Sequence, residues 1–348
     1  MHLIDLLARR AEPAAGLYLS VTRRCPLHCA HCSTRSTMSS EQLEAEPLRR
    51  LVASFRSGDR PDVVYLTGGE PLLRPRLVTE LATAAAAAGS STALLSGMWF
   101  AGRAVPAAVA QALHSVGHVS ASIDRFHEHE VPRAAVLDVL AELAGEGRDV
   151  SVHLTGESEH DPYLADAISE IRERLDDRCP IYVALVQPVG RAGEWLDADG
   201  GHGSPQAVPC PLASWPVVAF DGTVVACCSQ LAVDGPVPEH LRLGHAGVDG
   251  WPAIRRRAQG SAMLGAIRTF GPRWLAANDG GRDCGGYCET CMRLSDQPGV
   301  AGRVEQRMAR PEMQLPVRHA ERARPAAREW IGLPRFEHLL ELGRAVPA

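Results

Sequence analysis

The sequence predicts an α/β protein: a partial (β/α)6 TIM-type barrel on a parallel sheet, then a small hairpin-plus-helix domain rich in cysteine. Two observations predict it. Between residues 17 and 196 short β-rich runs alternate with helical patterns, which is how a parallel sheet with helical crossovers reads. The six units fall short of the eight that close a barrel. Beyond residue 209 the rhythm stops and cysteines recur around an Asp-Gly turn.

The elements follow in order. LYLSVT (17–22) is the first strand and runs into a cysteine loop. SSEQLEAEPLRRLVASF reads as a helix with Ser39 or Ser40 as N-cap, since serine side chains satisfy free N–H groups at helix starts. VVYL (63–66) is a buried strand ending in TGGEP. RLVTELATAAAAAG is a helix closed by Gly89, and STALLS is the next strand. The helix VPAAVAQALHSVG precedes the strand VSASID. PRAAVLDVLAELAGEG, a helix with Gly145 near its end, precedes the strand DVSVHL. YLADAISEIRERL and IYVALVQPVG complete the sixth unit. DADGGHGSPQ (197–206) reads as a linker. WPVVAF, the Asp221–Gly222 turn and TVVACC form a hairpin. A helical region at 251–268 and a second cysteine group, CGGYCETC (284–291), follow. The expected division is a lead-in (1–16), the barrel (17–196), a linker (197–209), a cysteine domain (210–295) and an Arg/Pro-rich extension (296–348) holding the amphipathic RFEHLLELG.

Composition narrows the function. With 348 residues, 45% of them hydrophobic, a full core is available. A net charge of −5 argues against nucleic-acid binding, whose footprint is basic. The most apolar run, ATAAAAAGSSTALL, is broken by Gly89 and serines and falls short of the roughly 20 apolar residues of a membrane span. The N-terminal MHLIDLLARR carries an acid where a signal peptide is apolar, so the expected compartment is the cytoplasm. Ten cysteines in a reducing compartment point to metal or cluster ligands.

CPLHCAHC places Cys25, Cys29 and Cys32 on one tight loop. An iron–sulfur cube normally takes four cysteines, and structural zinc also takes four ligands. A three-thiolate loop therefore leaves one position open. This CxxxCxxC after a first strand, with TGGEP (67–71) ending the second, resembles the radical S-adenosylmethionine (radical SAM) enzymes. The resemblance implies a [4Fe–4S] cluster on Cys25, Cys29 and Cys32, with SAM on the open iron and electrons from a donor such as flavodoxin or ferredoxin. It implies that Gly68, Gly69, Glu70 and Pro71 receive the SAM ammonium. His31 takes the position of an aromatic group near the adenine. Ser96, then Ser122 and Asp124, resemble polar cofactor contacts at strand ends, and Gly190 in QPVGRA resembles the glycine turn after the sixth strand. The plainer reading of His31 is a loop histidine. His127, Glu128, His129 and Glu130 read as a solvated stretch, and Cys179 as a small buried hydrophobe.

Cys210, Gly222 and Cys227, with Cys288 and Cys291 downstream, resemble a SPASM or twitch-type domain. This implies one auxiliary [4Fe–4S] cluster on those four cysteines. Cys284 is a fifth candidate, and a four-cysteine zinc site is the plainer alternative. Cys227 and Cys228 are adjacent. Their Cα atoms, about 3.8 Å apart, are closer than an ordinary disulfide tolerates, and in extended chain their side chains point to opposite faces. C-x-H-C, SGMWF, the CCS pair after the hairpin, a short lead-in and a single late CxxC resemble the epipeptide maturases. That likeness implies that Cys227 ligates the auxiliary cluster and Cys228 is a catalytic hydrogen-atom donor. A precursor peptide is then expected to bind the barrel and hairpin directly. Pro211–Phe220 lacks the acid that group has there. The alternative is therefore C–C or C–S bond formation on a peptide or on a small nucleoside or sugar natural-product intermediate. In that case Cys228 is a bystander or a substrate-site residue.

Overall fold

The computed structural model describes residues 1–196, 208–323 and 332–344. Most of the expected linker, at 197–207, and parts of the tail lie outside the described residues. Six parallel strands are β1 (Gly16–Thr22), β2 (Val63–Gly68), β3 (Ser91–Ser96), β4 (His118–Ile123), β5 (Asp149–Gly156) and β6 (Ile181–Leu185). They lie side by side in chain order. Helix α1 (Leu3–Ala8) precedes them. The crossovers carry α2 (Ala45–Ala53), α3 (Pro75–Ala87), α4 (Ala107–Ser115), α5 (Arg125–Glu128), α6 (Arg133–Gly145) and α7 (Pro162–Arg174). This is the expected partial barrel.

Strand side chains alternate between two faces, and the two faces differ. Leu17, Leu19, Val21, Val64, Leu66, Leu94, Val152 and Leu154 are buried in one core with Leu77, Leu81, Leu137 and Ile171 of the helices. On the concave face the Tyr65 hydroxyl reaches across β3 to the Ser120 hydroxyl (3.2 Å). Tyr18, Thr67, Leu95, Ser122, His153, Thr155 and Tyr182 of that face are only half-buried. The helix side is therefore one packed core; on the other face Val63, Tyr65 and Ala93 pack with Leu6 and Trp215 in a second cluster, and polar residues line a cavity at the strand tops.

Helix α2 starts at Ala45, not at Ser39 or Ser40. Pro47 is the reason. A helix begun at Ser40 would hold the proline ring against the carbonyl four residues earlier, whereas in the first turn proline is tolerated. Ser40 instead closes a turn, its hydroxyl accepting from Thr37 N (2.9 Å).

The hairpin joins the same sheet. β7 (Val217–Val218) pairs parallel with β1. β8 (Thr223–Val225) and β9 (Arg242–His245) add antiparallel strands, giving the order β6-β5-β4-β3-β2-β1-β7-β8-β9. Gly222 takes φ +90° at the turn, where a glycine is needed. After α8 (Gln230–Asp234), the region expected as one helix is two, α9 (Trp251–Gly260) and α10 (Ala262–Phe270). Ser261 divides them, its hydroxyl accepting from Leu264 N (3.2 Å). Then come α11 (Pro272–Asp279), α12 (Tyr287–Met292), α13 (Val300–Met308) and α14 (Gln314–Ala323). A 3-10 turn at Pro334–Glu341 covers the β6 edge, where Leu333 N donates to Val183 O (3.0 Å). Edges left bare invite pairing with other chains. Among the described residues no helix is long and apolar enough to cross a membrane.

Candidate functional site

Cys25, Cys29 and Cys32 line one cavity of about 330 Å³ at the C-terminal ends of the strands, with His31, Gly68, Gly69, Glu70, Ser96 and Ser122. Backbone approach builds it. Gly69 N donates to Thr22 O and Glu70 N to Arg24 O, both at 2.8 Å. A Cβ on Gly68 would lie 2.2 Å from Thr22 O, and one on Gly69 2.4 Å from Arg23 O. Only glycine lets the β2 turn sit this close to the cysteine loop. Pro71 is buried and opens a 3-10 turn behind it.

Glu70 is fully buried and accepts from Leu72 N (2.9 Å), Gly97 N (2.9 Å) and the Ser96 hydroxyl (3.0 Å). Burial pushes its carboxyl up to about 7. Ser96 in turn accepts from Met98 N (2.9 Å), so the acid and serine form one rigid unit on the cavity wall.

A strap from the far side of the barrel holds the cysteine loop. Gly190 has φ +59°, and a Cβ there would meet Cys32 O and Ser33 O at 2.3 Å. Arg191 N donates to Cys32 O (2.9 Å), its Nε to Cys29 O (2.8 Å) and a terminal nitrogen to Ser36 O (2.9 Å). Val189 and Arg191 form the wall here, with Gly190 behind them. Sequence reading singled out Gly190 and missed Arg191, whose only sequence signal was its place beside that glycine.

Asp124 lies behind the cavity wall. It caps α5, accepting from Phe126 N and His127 N (both 2.9 Å), and its second oxygen meets His127 Nδ1 (2.6 Å) and His31 Nε2 (3.2 Å). Although burial opposes it, these histidines hold its carboxyl well below the usual range. The cavity is lined by His31 and His127 instead. This corrects the reading of 127–130 as a solvated stretch. The Asp124 cap winds one helical turn, which brings His127 inward beside Cys29. Glu128 accepts from the Tyr163 hydroxyl (2.7 Å), while His129 and Glu130 are exposed. The His31 ring stacks on Phe126 (4.8 Å), which lies against Trp195 (5.7 Å). Cys179 is buried, as expected of a packing thiol.

The second cysteine set also converges. Cys210, Cys227, Cys288 and Cys291 line one small cavity with Ser229 and Tyr287. Cys288 and Cys291 stand three apart on α12, on one face of the helix. Cys210 N is anchored on Ile267 O (3.1 Å), and the Tyr287 hydroxyl donates to Val208 O (2.6 Å). Burial and neighbouring thiols push Cys210 up to about 11 and Cys227 higher still. Cys284 is exposed and stands outside this cavity. Cys228 parts from Cys227. It is half-buried, lies outside that cavity and accepts from an Arg10 terminal nitrogen at 3.4 Å.

Both sets suit iron–sulfur ligation. Within the 4.8 Å that one ion requires, only His31, Asp124 and His127 gather three ligand atoms among the described residues. Tetrahedral zinc, with Zn–S of about 2.3 Å, would draw sulfurs to about 3.8 Å from each other. Among the described residues neither cysteine set draws three sulfurs that close together. His31 Nδ1 is buried without a partner beside the three-thiol cavity, as a wall completed by a cofactor would be.

The Radical SAM superfamily model matches residues 19–167. A segment is 43% identical over 83 residues to GTP 3',8-cyclase of Acidothermus cellulolyticus, covering 20% of this chain and 22% of that protein. The match thus spans about a fifth of that relative. The fold is similar to Streptococcus suis SuiB bound to S-adenosylmethionine, with a TM-score of 0.54 at 12% identity over 75% of this chain and 69% of that one. It is equally similar to SuiB bound to precursor peptide SuiA, with a TM-score of 0.53 at 12% identity over 77% and 70%. Residues 19–167, which hold the three-cysteine loop and the TGGEP turn, form a radical SAM domain.

Proposed function

We propose that this chain is a radical SAM peptide epimerase, converting an L-residue of a ribosomally made peptide to its D-form. When bound, a [4Fe–4S] cluster on Cys25, Cys29 and Cys32 with SAM supplies a 5′-deoxyadenosyl radical, and a second cluster sits on Cys210, Cys227, Cys288 and Cys291. Gly68, Gly69, Glu70, Ser96 and Ser122 bind SAM, while Pro71 shapes the turn. His31 flanks the adenine, oriented by Asp124, and Gly190 holds the loop. The barrel (17–196) and the cysteine domain (210–295) are then the two working parts, fed by a flavodoxin or ferredoxin in the cytoplasm.

The observation that carries this reading is the division of the adjacent pair. Cys227 lines the four-thiol cavity, whereas Cys228 does not line it and accepts from Arg10. A thiol S–H bond is weak enough for a carbon radical to take its hydrogen. The SAM-side cavity lies at the strand tops, whereas β8 runs antiparallel to β7 and delivers Cys228 toward the opposite end. A substrate held between them loses hydrogen on one face and regains it on the other, and one electron from the flavodoxin or ferredoxin with one solvent proton returns the resulting Cys228 thiyl to the thiol. SuiB's likeness in fold, and its precursor-peptide complex, support a peptide substrate. The segment shared with a nucleotide cyclase favours a second reading, bond formation on a small nucleoside-like intermediate.

Turnover in heavy water separates them. Epimerisation through a thiol adds one deuterium, whereas crosslinking removes two hydrogens. Cys228→Ala should abolish deuterium uptake. Normal turnover by that variant would remove Cys228 from the mechanism.

A further inference from the structure

The lower half of the lumen holds a cation without a counter-charge. The Arg10 guanidinium lies 5.1 Å over the Tyr18 ring and 5.5 Å from the Trp215 ring, and it donates to Cys228 Sγ at 3.4 Å. Among the described residues no carboxylate pairs with it. Its neighbour Arg9, in contrast, pairs with Asp62 at 2.7 Å. Tyr65 on β2, His153 on β5 and Tyr182 on β6 feel the Arg10 charge, and Cys228 accepts from it. None is an acid. Burial keeps the tyrosines and His153 uncharged, and His153 Nε2 is buried without a hydrogen-bond partner.

This layer lies directly below the strand-top cavity. Thr155 lines the 330 Å³ cavity, and His153 stands two residues below it on the same face of β5. Arg10, Tyr18, His153, Tyr182 and Cys228 are only partly buried, although the opposite faces of the same strands are sealed by helices. A cation stacked on aromatic rings is tolerated in such a place. Its planar fork, however, is shaped for a carboxylate.

We propose that Arg10, with His153 beside it, forms an anion-binding subsite on the lumen floor that takes one carboxylate of the substrate next to Cys228. The proposal deepens the reading above, because it rests on the substrate entering the lumen. One guanidinium suits one carboxylate, whereas a di- or triphosphate calls for several cations. The carboxylate belongs to an acidic side chain or to a peptide C-terminus.

The test compares two alkylating agents on the cluster-loaded protein, read by mass spectrometry of the peptide holding Cys228. Iodoacetate carries a carboxylate and iodoacetamide does not. Both react with the same thiolate, so the ratio of their rates cancels the thiol's own reactivity. At Cys228 the ratio should exceed that of glutathione by about tenfold, the worth of one charge-assisted contact, and the iodoacetate rate should saturate. Arg10→Gln should return the ratio to the glutathione value, and Arg10→Lys should keep part of it.

Protection then identifies the source. Acetylated, amidated Ala-Asp-Ala bears only a side-chain carboxylate, and acetylated Ala-Ala-Ala only a C-terminal one. The peptide that slows labelling names which carboxylate the floor accepts. A wild-type ratio equal to that of glutathione, without saturation, overturns the subsite even if Arg10→Gln fails to fold. The ratio is indifferent to hydrogen donation, so loss of deuterium uptake and loss of anion preference are separate failures.

Discussion

Replacing Gly190 by alanine should unseat the three-cysteine loop. The residue sits at φ +59°, a conformation that costs an alanine roughly 1–2 kcal/mol. The new Cβ would stand 2.3 Å from both Cys32 O and Ser33 O, roughly 1 Å inside ordinary contact. Both obstacles are backbone, so neither can swing aside. Strap and loop must separate, which breaks the bonds from Arg191 N to Cys32 O and from Arg191 Nε to Cys29 O. At about 1 kcal/mol each, the local cost totals roughly 3–4 kcal/mol. The assay is iron and sulfide per chain after anaerobic reconstitution, with the electron paramagnetic resonance change on adding SAM. Iron should fall by about half, as expected when one of two four-iron clusters is lost, and the SAM response should vanish. Gly145→Ala, whose Cβ meets nothing within 4 Å, should match wild type. Full iron and a normal SAM response in Gly190→Ala would refute the strap.

Cys227→Ser should lose the auxiliary iron, whereas Cys228→Ala and Cys284→Ser should keep it. Equal iron in all three variants would remove Cys227 from the ligand set. Glu70→Gln keeps the shape but removes the charge proposed above to receive the SAM ammonium. SAM affinity, read by calorimetry, should fall about tenfold or more, as for loss of a charged hydrogen bond, and unchanged affinity would reassign Glu70 to scaffolding. Burial pushes His118 down to about 4, against about 6.5 in the unfolded chain. As pH falls below 6.5 the unfolded chain takes up the proton first. This stabilising contribution is therefore complete above pH 6.5 and lost toward pH 4, on the order of 3 kcal/mol. Glu70, raised to about 7, acts in the opposite sense. The clean measure is thus the urea midpoint of wild type minus that of His118→Gln. That difference should shrink from pH 7 to pH 4.5, and a constant difference would contradict the assignment.

Much of the site was legible because its information is local. Cys25, Cys29 and Cys32 sit within one loop, and the TGGEP turn within five residues. Strand ends could be counted from the βα alternation, which put Ser96 and Ser122 at the cavity. Helix α2 began late because a single Pro47 outweighed two good caps. The role of His127 was hidden because it arises from the side chain of Asp124, which winds the turn, and not from any spacing of the HEHE run.

The sequence by itself determined the barrel, the open three-thiolate loop and the hairpin that carries the adjacent cysteines. Each follows from short-range pattern, where covalent geometry limits the outcomes. Only the tertiary structure decided which thiols gather and which cation meets them. Arg191 reaches Cys29 across 162 residues, and Arg10 reaches Cys228 across 218. The parallel pairing of β7 with β1 carries the hairpin, and with it Cys228, to the edge of the barrel. Such contacts depend on sheet order and packing, which bring together residues that no local spacing relates.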